Sequence, residues 1–394
     1  MEDKRKTPRL RFPGFTDEWE QRKFSDFVQR ESALQASSSE YPCVEYEDVV
    51  AEEGRLNKDV RLKETQKTGI IFDGSQVLYG KLRPYLHNWL NPDFSGVAVG
   101  DWWVLRPVGV DKKFLYRLIQ TEQFDEVANQ SSGSKMPRAD WILVSNTDFM
   151  IPSSIDEQRQ IAETFDNIDN LITLHQRKLD AMKAYKAGML QKLFPRDGET
   201  VPEIRFPGFT GDWEQRKLSD LIIEYRETVD SDCTLPILTS SKTEGVVLQE
   251  EHFGRKQLHD ITGYNVLPRN YCTYRNRSDG VDFTFNINQC CDKGIISKFY
   301  PVFYGNNSNV HFISMVLNHC EEVVREIGFT CVGTGQKVLS FTDLLRMSIR
   351  IPALEEQDMI SVYFSKLDNL ITLHQRKLDA MKEYKKGLLQ QMFV

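Results

Sequence analysis

Residues 169–183, DNLITLHQRKLDAMK, occur a second time, letter for letter, as residues 368–382. Fifteen identical residues at an offset of 199 positions indicate an internal duplication of the chain. Both copies are rich in Leu, Ile, Gln, Arg, Lys, Ala and Met and contain neither Gly nor Pro, a composition typical of helices. The repeated stretch therefore predicts two long helices, each of about 39 residues and roughly 55–60 Å long.

Apolar side chains around each copy recur at alternating steps of four and three residues, which is the heptad pattern of a coiled coil. Lys186 and Lys385 interrupt the two patterns at equivalent positions, as do two histidines, which we interpret as a polar pair that sets the register rather than as a metal site. Each seam needs a partner, and the other copy is the obvious one. The predicted seam consists of Ile161, Phe165, Ile168, Ile172, His175, Leu179 and Met182 in the first copy and of Ile360, Phe364, Leu367, Ile371, His374, Leu378 and Met381 in the second.

The duplication extends beyond the helices. Residues 8–27 match residues 202–221 and share the core RFPGFT followed by a tryptophan and EQRK. Between each of these leading segments and its helix lies a block that barely resembles the other. Both blocks contain short β-type runs separated by turn residues, together with helical pieces at 111–128 and 312–327. We therefore predict an α+β fold with two α+β domains and a pseudo-two-fold internal repeat.

The predicted order is a first domain (1–150), a first long helix (151–194), a linker (195–201), a second domain (202–350) and a second long helix (351–394). A linker of this length spans at most about 25 Å. It can join the first helix to a nearby domain without returning along the whole rod. This favours an antiparallel coiled coil with one domain near each end.

Composition narrows the class of protein. Apolar residues make up 40% and charged residues 27% of the chain, as in ordinary globular proteins. We find no run of about 18 apolar residues and no apolar core near the N-terminus, and so expect neither a membrane span nor a secretory signal. Seven cysteines without a C-x-x-C pair predict reduced thiols in a cytoplasmic protein. The net charge of −7 argues against a generic polyanion binder but permits a basic face.

The duplicated plan resembles the specificity (S) subunit of type I restriction-modification systems over essentially the whole chain. The resemblance rests on the RFPGF segments, on the repeated helices, and on the runs VLYGKLRPYLHNW (77–89), VGDWWVLRP (99–107) and GTGQKVLSFTDL (333–344). It implies two target recognition domains, each reading one half of a bipartite, asymmetric DNA sequence. The first block ends in SGSKMPR (132–138) where the second has GTGQK (333–337). The two blocks should therefore read different half-sites.

The resemblance also implies that this chain does no chemistry itself. We expect no cofactor in it, and the Cys and His spacing predicts no zinc site. Its expected partners are double-stranded DNA, two modification (methyltransferase) subunits and restriction (translocase and nuclease) subunits. Those subunits would use S-adenosylmethionine, ATP and Mg²⁺.

Candidate DNA-binding residues are cations, amides and hydroxyls that cluster beside glycines or turns, because such side chains contact base edges and phosphates. Taken singly, each of these residues is better explained as part of a solvated surface loop, and only the set together with the family resemblance favours a DNA-binding face. The candidates are Lys81, Arg83, Tyr85, Asn88, Lys135 and Arg138 in the first block and Ser240, Ser241, Lys242, Arg275, Asn276, Arg277, Gln336 and Lys337 in the second.

Two other classes of protein remain as alternatives. The acidic net charge is compatible with a coiled-coil scaffold that assembles partners without reading DNA. An autonomous nuclease or methyltransferase is disfavoured, because residues 333–337 do not match the phosphate-binding loop G-x-x-x-x-G-K-[ST] and no methyltransferase motif occurs in order. We propose no catalytic residue from the sequence.

Overall fold

The computed structural model describes residues 6–63, 66–130, 135–255, 260–333 and 335–394. The chain divides into two compact units, which we call the first unit (Met1–Arg177 with Gln375–Val394) and the second unit (Lys178–His374). The boundary crosses both long helices. Each unit therefore contains the beginning of one long helix and the end of the other.

The two long helices have 39 residues each, as predicted from the repeat. The helical pieces predicted at 111–128 and 312–327 are each divided in two. In the first, one helix ends at Leu118, and Thr121 caps the next helix by accepting a hydrogen bond from the Phe124 amide (3.3 Å). No helix of the described ranges is long and apolar enough to cross a membrane. The helices are Phe24–Phe27, Lys112–Leu118, Glu122–Ala128, Trp141–Asn146, Ile155–Leu193, Leu218–Leu221, Gln249–Phe253, Val310–His319, Glu321–Thr330, Phe341–Arg346 and Leu354–Met392, with 3₁₀ turns at Tyr46–Asp48, Val60–Leu62 and Pro84–Leu86.

Among the described residues of the first unit, the strands form two four-stranded sheets and two strand pairs, one of which joins the leading segment to the strand before the long helix. One sheet is mixed, since Gly96–Ala98 pairs parallel with Cys43–Val44 and antiparallel with Thr68–Phe72. The strands are Glu20–Lys23, Val28–Glu31, Leu34–Ala36, Cys43–Val44, Val49–Val50, Arg55–Leu56, Thr68–Phe72, Val77–Gly80, Trp89–Leu90, Gly96–Ala98, Trp102–Pro107 and Asp148–Ile151.

The second unit repeats one of these sheets. Its order Ile222–Tyr225, Val302–Gly305, Cys272–Tyr274, Phe285–Ile287 corresponds to Val28–Glu31, Trp102–Pro107, Val77–Gly80, Trp89–Leu90 in the first unit. The second unit thus confirms the predicted α+β repeat although the intervening sequences barely match. Its strands are Glu214–Lys217, Ile222–Tyr225, Leu238–Ser241, Gly245–Leu248, Asn265–Pro268, Cys272–Tyr274, Arg277–Ser278, Phe285–Ile287, Lys293–Ile296, Val302–Gly305, Lys337–Val338 and Ser348–Ile351.

Within each unit the two helix segments run antiparallel. In the first unit, Lys385 Nζ lies 2.7 Å from Asp169 Oδ1, and the Phe393 ring lies 6.4 Å from the Phe165 ring. Residue numbers therefore rise along one helix as they fall along the other. In the second unit, Lys186 Nζ makes the equivalent ion pair with Asp368 at 2.6 Å. The lysines that interrupt the seam therefore find acidic partners on the facing helix. Every predicted seam residue is buried or half-buried.

The end of each long helix enters the aromatic core of the unit that it reaches. In the first unit, Phe393 stacks on Phe114 (5.4 Å, 21°) and meets the edge of Trp19 (6.2 Å). In the second unit, Phe194 makes the same contacts with Phe312 (5.6 Å, 16°) and Trp213 (5.9 Å). The duplication thus exchanges helix ends: each core is completed by the terminal phenylalanine of the other repeat.

The Glu-Gln pair near the start of each long helix joins that helix to its domain. Glu157 is 1% exposed and accepts two hydrogen bonds from Arg11, at 2.7 and 2.8 Å. The Gln158 side chain accepts a hydrogen bond from the Asp111 amide (2.8 Å) and donates one to the Pro152 carbonyl (2.8 Å). Asp111 caps the domain helix Lys112–Leu118. In the second unit, Glu356 and Gln357 make the corresponding contacts with Arg205, Asn309 and Pro352. These buried polar contacts orient each domain relative to its own helix.

Candidate nucleic-acid interface

In the first unit, two of the predicted clusters come together. The loop that follows the strand Val77–Gly80 pairs with residues 135–139, through a bridge between Leu82 and Arg138. The Arg83 amide donates to the Pro137 carbonyl (2.7 Å), and the Ala139 amide donates to the Lys81 carbonyl (2.8 Å). Two segments more than fifty residues apart in the sequence therefore form one surface. Of the predicted SGS loop, residues 132–134 lie outside the described residues.

The backbone of this loop is unusual. Arg83 and His87 adopt φ values of 48° and 52°, in the left-handed region that only glycine enters without strain. They flank the short turn Pro84–Leu86, from which Tyr85 projects with half of its surface exposed. His87 stabilises the conformation, because its Nε2 lies 2.9 Å from Asp125 Oδ1 and its ring stacks on Trp89 at 5.2 Å. Strain of this kind persists where surrounding contacts over-determine the backbone.

Asp101 is the electrostatic centre of the surface. Its carboxylate accepts two hydrogen bonds from Arg138, at 3.2 Å from Nε and 3.0 Å from Nη2, and lies 3.7 Å from Lys81 Nζ. The hydrogen bond from Arg138 holds the pKa of Asp101 below its usual range, against the opposing effect of burial. The carboxylate is therefore ionised near neutral pH and organises both cations.

The predicted residues of the first unit differ in their exposure. Lys135 and Arg138 are exposed, and Lys81 and Arg83 are half-buried. Asn88 is only 6% exposed, and its carbonyl accepts the Gly80 amide at 2.7 Å, so we leave it out of the candidate surface. Within the described ranges, no group of three or more His, Cys, Asp and Glu side chains is arranged to hold a metal ion.

In the second unit, three predicted clusters converge. Arg277–Ser278 pairs antiparallel with Lys337–Val338, and the Leu339 amide donates to the Asn276 carbonyl at 3.0 Å. Exposed Gln336 immediately precedes this pairing. The third cluster, Ser240–Lys242, lies across a cleft of about 670 Å³. The cleft is lined by Ser240, Lys242, Arg275, Arg277, Ser278, Asp279, Gly280, Val281, Asp282, Phe283, Thr284 and Tyr300.

Side-chain contacts order the walls of this cleft. Lys242 pairs with Asp282, and the hydrogen bond from Lys242 lowers the pKa of that carboxyl. Asn286 Nδ2 donates to Ser240 Oγ (2.8 Å) and to the Ser241 carbonyl (2.9 Å). Among the described residues, neither Arg275 nor Lys337 takes part in an ion pair. The cleft therefore offers hydroxyl groups and cations beside a minority of carboxylates.

Three residues that organise these surfaces are not among the sequence-predicted set: Asp101, His87 and Asp282. Asp101 is 37 positions from Arg138, and no spacing rule connects them. The sequence pointed to two of them only indirectly: His87 lies in the run 77–89 and Asp101 in the run 99–107, both of which carry the family resemblance. Their contacts join loops that are distant in the sequence, so only the tertiary structure identifies them.

Comparisons with known proteins agree with this architecture. A family model described as the type I restriction modification DNA specificity domain matches residues 16–184 and 282–383. The type I restriction enzyme MjaVIII specificity subunit of Methanocaldococcus jannaschii is 23% identical over 302 residues, covering 71% of this chain and 68% of the relative. The putative MjaX specificity subunit of the same organism is 22% identical over 251 residues, covering 60% of this chain and 56% of the relative.

Two solved structures share the fold. A chain from a type I restriction-modification complex superposes with a TM-score of 0.57 at 15% identity, covering 98% of this chain and 99% of that one. The S subunit of the type I system from M. genitalium gives a TM-score of 0.57 at 12% identity, with the same two coverages.

The family model accounts for more than half of the residues. The chain belongs to the type I restriction-modification DNA specificity family, whose members are the sequence-recognition subunits of these systems.

Proposed function

We propose that the paired loops of each unit form the surface that reads one half of a bipartite DNA target. One observation carries this proposal. In both units the loop after the equivalent strand of the shared sheet pairs with the segment after a domain helix, and both pairings carry cations, joined by amides in the second unit. Side chains of these types contact base edges and phosphates. The surrounding sequences differ, so the two half-sites should differ as well.

An exchange of one domain tests the proposal. Residues 28–150 are replaced with the corresponding block of another family member, and the chain is co-expressed with its modification subunits. We expect sequencing of methylated DNA to show a new sequence in one half of the target and the original sequence in the other. Exchange of residues 222–350 is the matched control and should alter only the other half. An unchanged methylated sequence after either exchange would disprove the assignment.

We also propose that this chain is not itself catalytic. Modification subunits would supply methyl transfer from S-adenosylmethionine, and restriction subunits would supply ATP- and Mg²⁺-dependent cleavage, in the cytoplasm where the DNA lies. The proposal follows from the family and from the sequence, in which we identify no catalytic motif. Incubation of the purified chain with DNA and each cofactor, with and without the partner subunits, tests it. Methylation or cleavage by the chain alone would contradict it.

The helix pair of each unit offers a surface suited to such partners. Leu171 and Leu174 of the first unit are 47% and 61% exposed, and Leu370 and Leu373 of the second are 47% and 62% exposed. Exposed leucines at a spacing of three residues mark a helix face that another helix can cover. Because the two faces have the same sequence, we propose that each binds one modification subunit.

The stoichiometry of the complex tests this surface. The double substitution Leu171→Asp and Leu174→Asp should reduce the number of bound modification subunits from two to one, as measured by native mass spectrometry. The same change at Leu370 and Leu373 is the matched variant, and the fourfold variant should bind none. Retention of two subunits by the fourfold variant would exclude this face.

A further inference from the structure

The two recognition surfaces are related by a precise backbone equivalence. The Lys81 amide donates to the Asp101 carbonyl at 2.9 Å, and the Asn276 amide donates to the Phe299 carbonyl at 2.9 Å. One residue further along, Leu82 bridges Arg138 in the first unit and Arg277 bridges Val338 in the second. Asp101 and Phe299 therefore occupy the same position in the two units.

Each of these bridges contains one arginine and one aliphatic residue, but the arginine comes from opposite sides. Arg138 belongs to the later segment of the first unit, whereas Arg277 belongs to the earlier segment of the second. In each unit the residue at the shared position holds that arginine. Asp101 holds Arg138 through two hydrogen bonds, and the Phe299 ring lies 4.5 Å below the guanidinium carbon of Arg277.

The Asp101 contact leaves a defined part of Arg138 available. A guanidinium has five N–H groups, and the bonds to Asp101 use one on Nε and one on Nη2. Both hydrogens on Nη1 and the second hydrogen on Nη2 remain at the end of the side chain, which is 52% exposed. Two parallel N–H groups at the end of a fixed arginine match the O6 and N7 acceptors of guanine in the major groove.

The neighbouring charge argues for a base rather than a phosphate. Arg138 is already neutralised by Asp101, and the same carboxylate would repel a phosphate that approached the guanidinium. A guanine edge carries no net charge and so avoids this repulsion. In the second unit the Phe299 ring packs against the exposed Arg277 guanidinium, and none of the ion pairs between described residues includes Arg277. Its N–H groups are therefore available for a ligand.

We propose that each half of the DNA target contains a guanine that is read by a pre-oriented arginine, Arg138 in the first unit and Arg277 in the second. Asp101 and Phe299 are the positioning residues that fix each arginine for this contact. The inference rests on the proposed function, in which these loops read DNA. It adds the base, the reading residue and the residue that orients it, and each half-site serves as the control for the other.

Selection from a random duplex DNA library tests the proposal, with the full chain assembled with its modification subunits. Arg138→Lys retains the charge but loses the bidentate geometry. It should lower the preference for guanine at one position of the first half-site by roughly ten- to hundredfold, because a bidentate contact contributes about 1–3 kcal/mol to discrimination. Arg277→Lys should do the same in the second half-site. Asp101→Asn and Phe299→Leu should weaken the preference at those same two positions.

The outcomes separate the inference from the proposed function. If the wild-type complex enriches no split sequence, both are wrong. If it enriches a split sequence but the lysine variants lose binding uniformly over all sequences, the arginines contact the DNA backbone and the inference is wrong. The same conclusion follows if no guanine preference changes. Normal selection of the unaltered half-site by each variant shows that the chain remains folded.

Discussion

The guanidinium of Arg11 and the carboxylate of Glu157 form two parallel hydrogen bonds of 2.7 and 2.8 Å across 146 positions of the sequence. The same contact recurs between Arg205 and Glu356 at 2.7 Å for both bonds. Each pair joins an RFPGF segment to the start of a long helix. The two repeated motifs of this chain are thus the two halves of one buried contact.

Loss of Arg11 should destabilise the first unit. Arg11→Ala leaves the Glu157 carboxylate buried without its cation, so we expect the free energy of unfolding to fall by about 3–5 kcal/mol. Urea unfolding monitored by hydrogen exchange measures the change unit by unit. Lys6→Ala removes the exposed ion pair with Glu18 and should cost less than about 1 kcal/mol. Equal effects of the two substitutions would contradict the expected difference.

Phe393 and Phe194 should each stabilise the unit whose core they enter. Phe393→Ala removes a buried ring stacked on Phe114, with an expected cost of about 3–5 kcal/mol. Hydrogen exchange should accelerate around Phe114. Phe194→Ala is the matched variant and should accelerate exchange around Phe312 instead. If Phe393→Ala loosened the second unit and spared the first, the exchange of helix ends would be wrong.

Arg117 should stabilise the first unit without a counterpart in the second. It is 2% exposed and bonds Asp166 and Asp169 of the long helix, both at 2.6 Å. Met315 occupies the equivalent place, six residues after the helix cap. Arg117→Met should destabilise the first unit by about 3–5 kcal/mol because two carboxylates lose their principal cation.

Met315→Leu, which preserves volume, is the control for that substitution and should cost less than about 1.5 kcal/mol. Thermal unfolding of both variants provides the comparison. A negligible effect of Arg117→Met would show that Lys113 and Lys385 are sufficient to neutralise the two carboxylates.

Ser75 should control the ionisation of Asp73. Hydrogen bonds from the Ser75 hydroxyl and amide are the main cause that lowers the pKa of Asp73 to about 2, and Arg106 contributes less. Because the folded pKa is depressed, the resulting stabilisation is present above about pH 4 and is lost as the pH falls towards 2. Ser75→Ala should raise the pKa of Asp73, measured by NMR titration, more than Arg106→Gln does. The reverse order would contradict this assignment.

Lengthening both long helices should change the spacing of the DNA target. Seven residues inserted after Gln176 and after Gln375 preserve the heptad register of both seams. Sequencing of methylated sites should show an altered gap between two unaltered half-sites. Insertion of four residues in one helix alone breaks the heptad register and should abolish methylation by the assembled complex. The role of the helices would be refuted if the seven-residue insertions changed either half-site or left the gap between the half-sites unchanged.

Much of the architecture followed from the sequence alone. The exact repeat and its heptad pattern specified two long helices and their seam, because helix period and apolar burial are local properties that a single sequence displays. The α+β class of the two domains followed from strand and turn patterns in the same way. The division of residues 111–128 into two helices did not follow from the sequence pattern, because the composition of the stretch is helical throughout and the break lies at residues 119–121.

The tertiary structure alone decided which residues meet. Nothing in the sequence near Arg138 identifies Asp101 as its partner, and nothing near Trp19 identifies Phe393. These contacts join segments 37 and 374 positions apart, and they depend on the sheet that positions the loops and on the antiparallel direction of the helices. The duplicated DNLITLHQRKLDAMK stretch by itself determined that the chain has two halves. Folding decided that each half is completed by the other, because each seam and each aromatic core buries its apolar surface only when the opposite helix end packs against it.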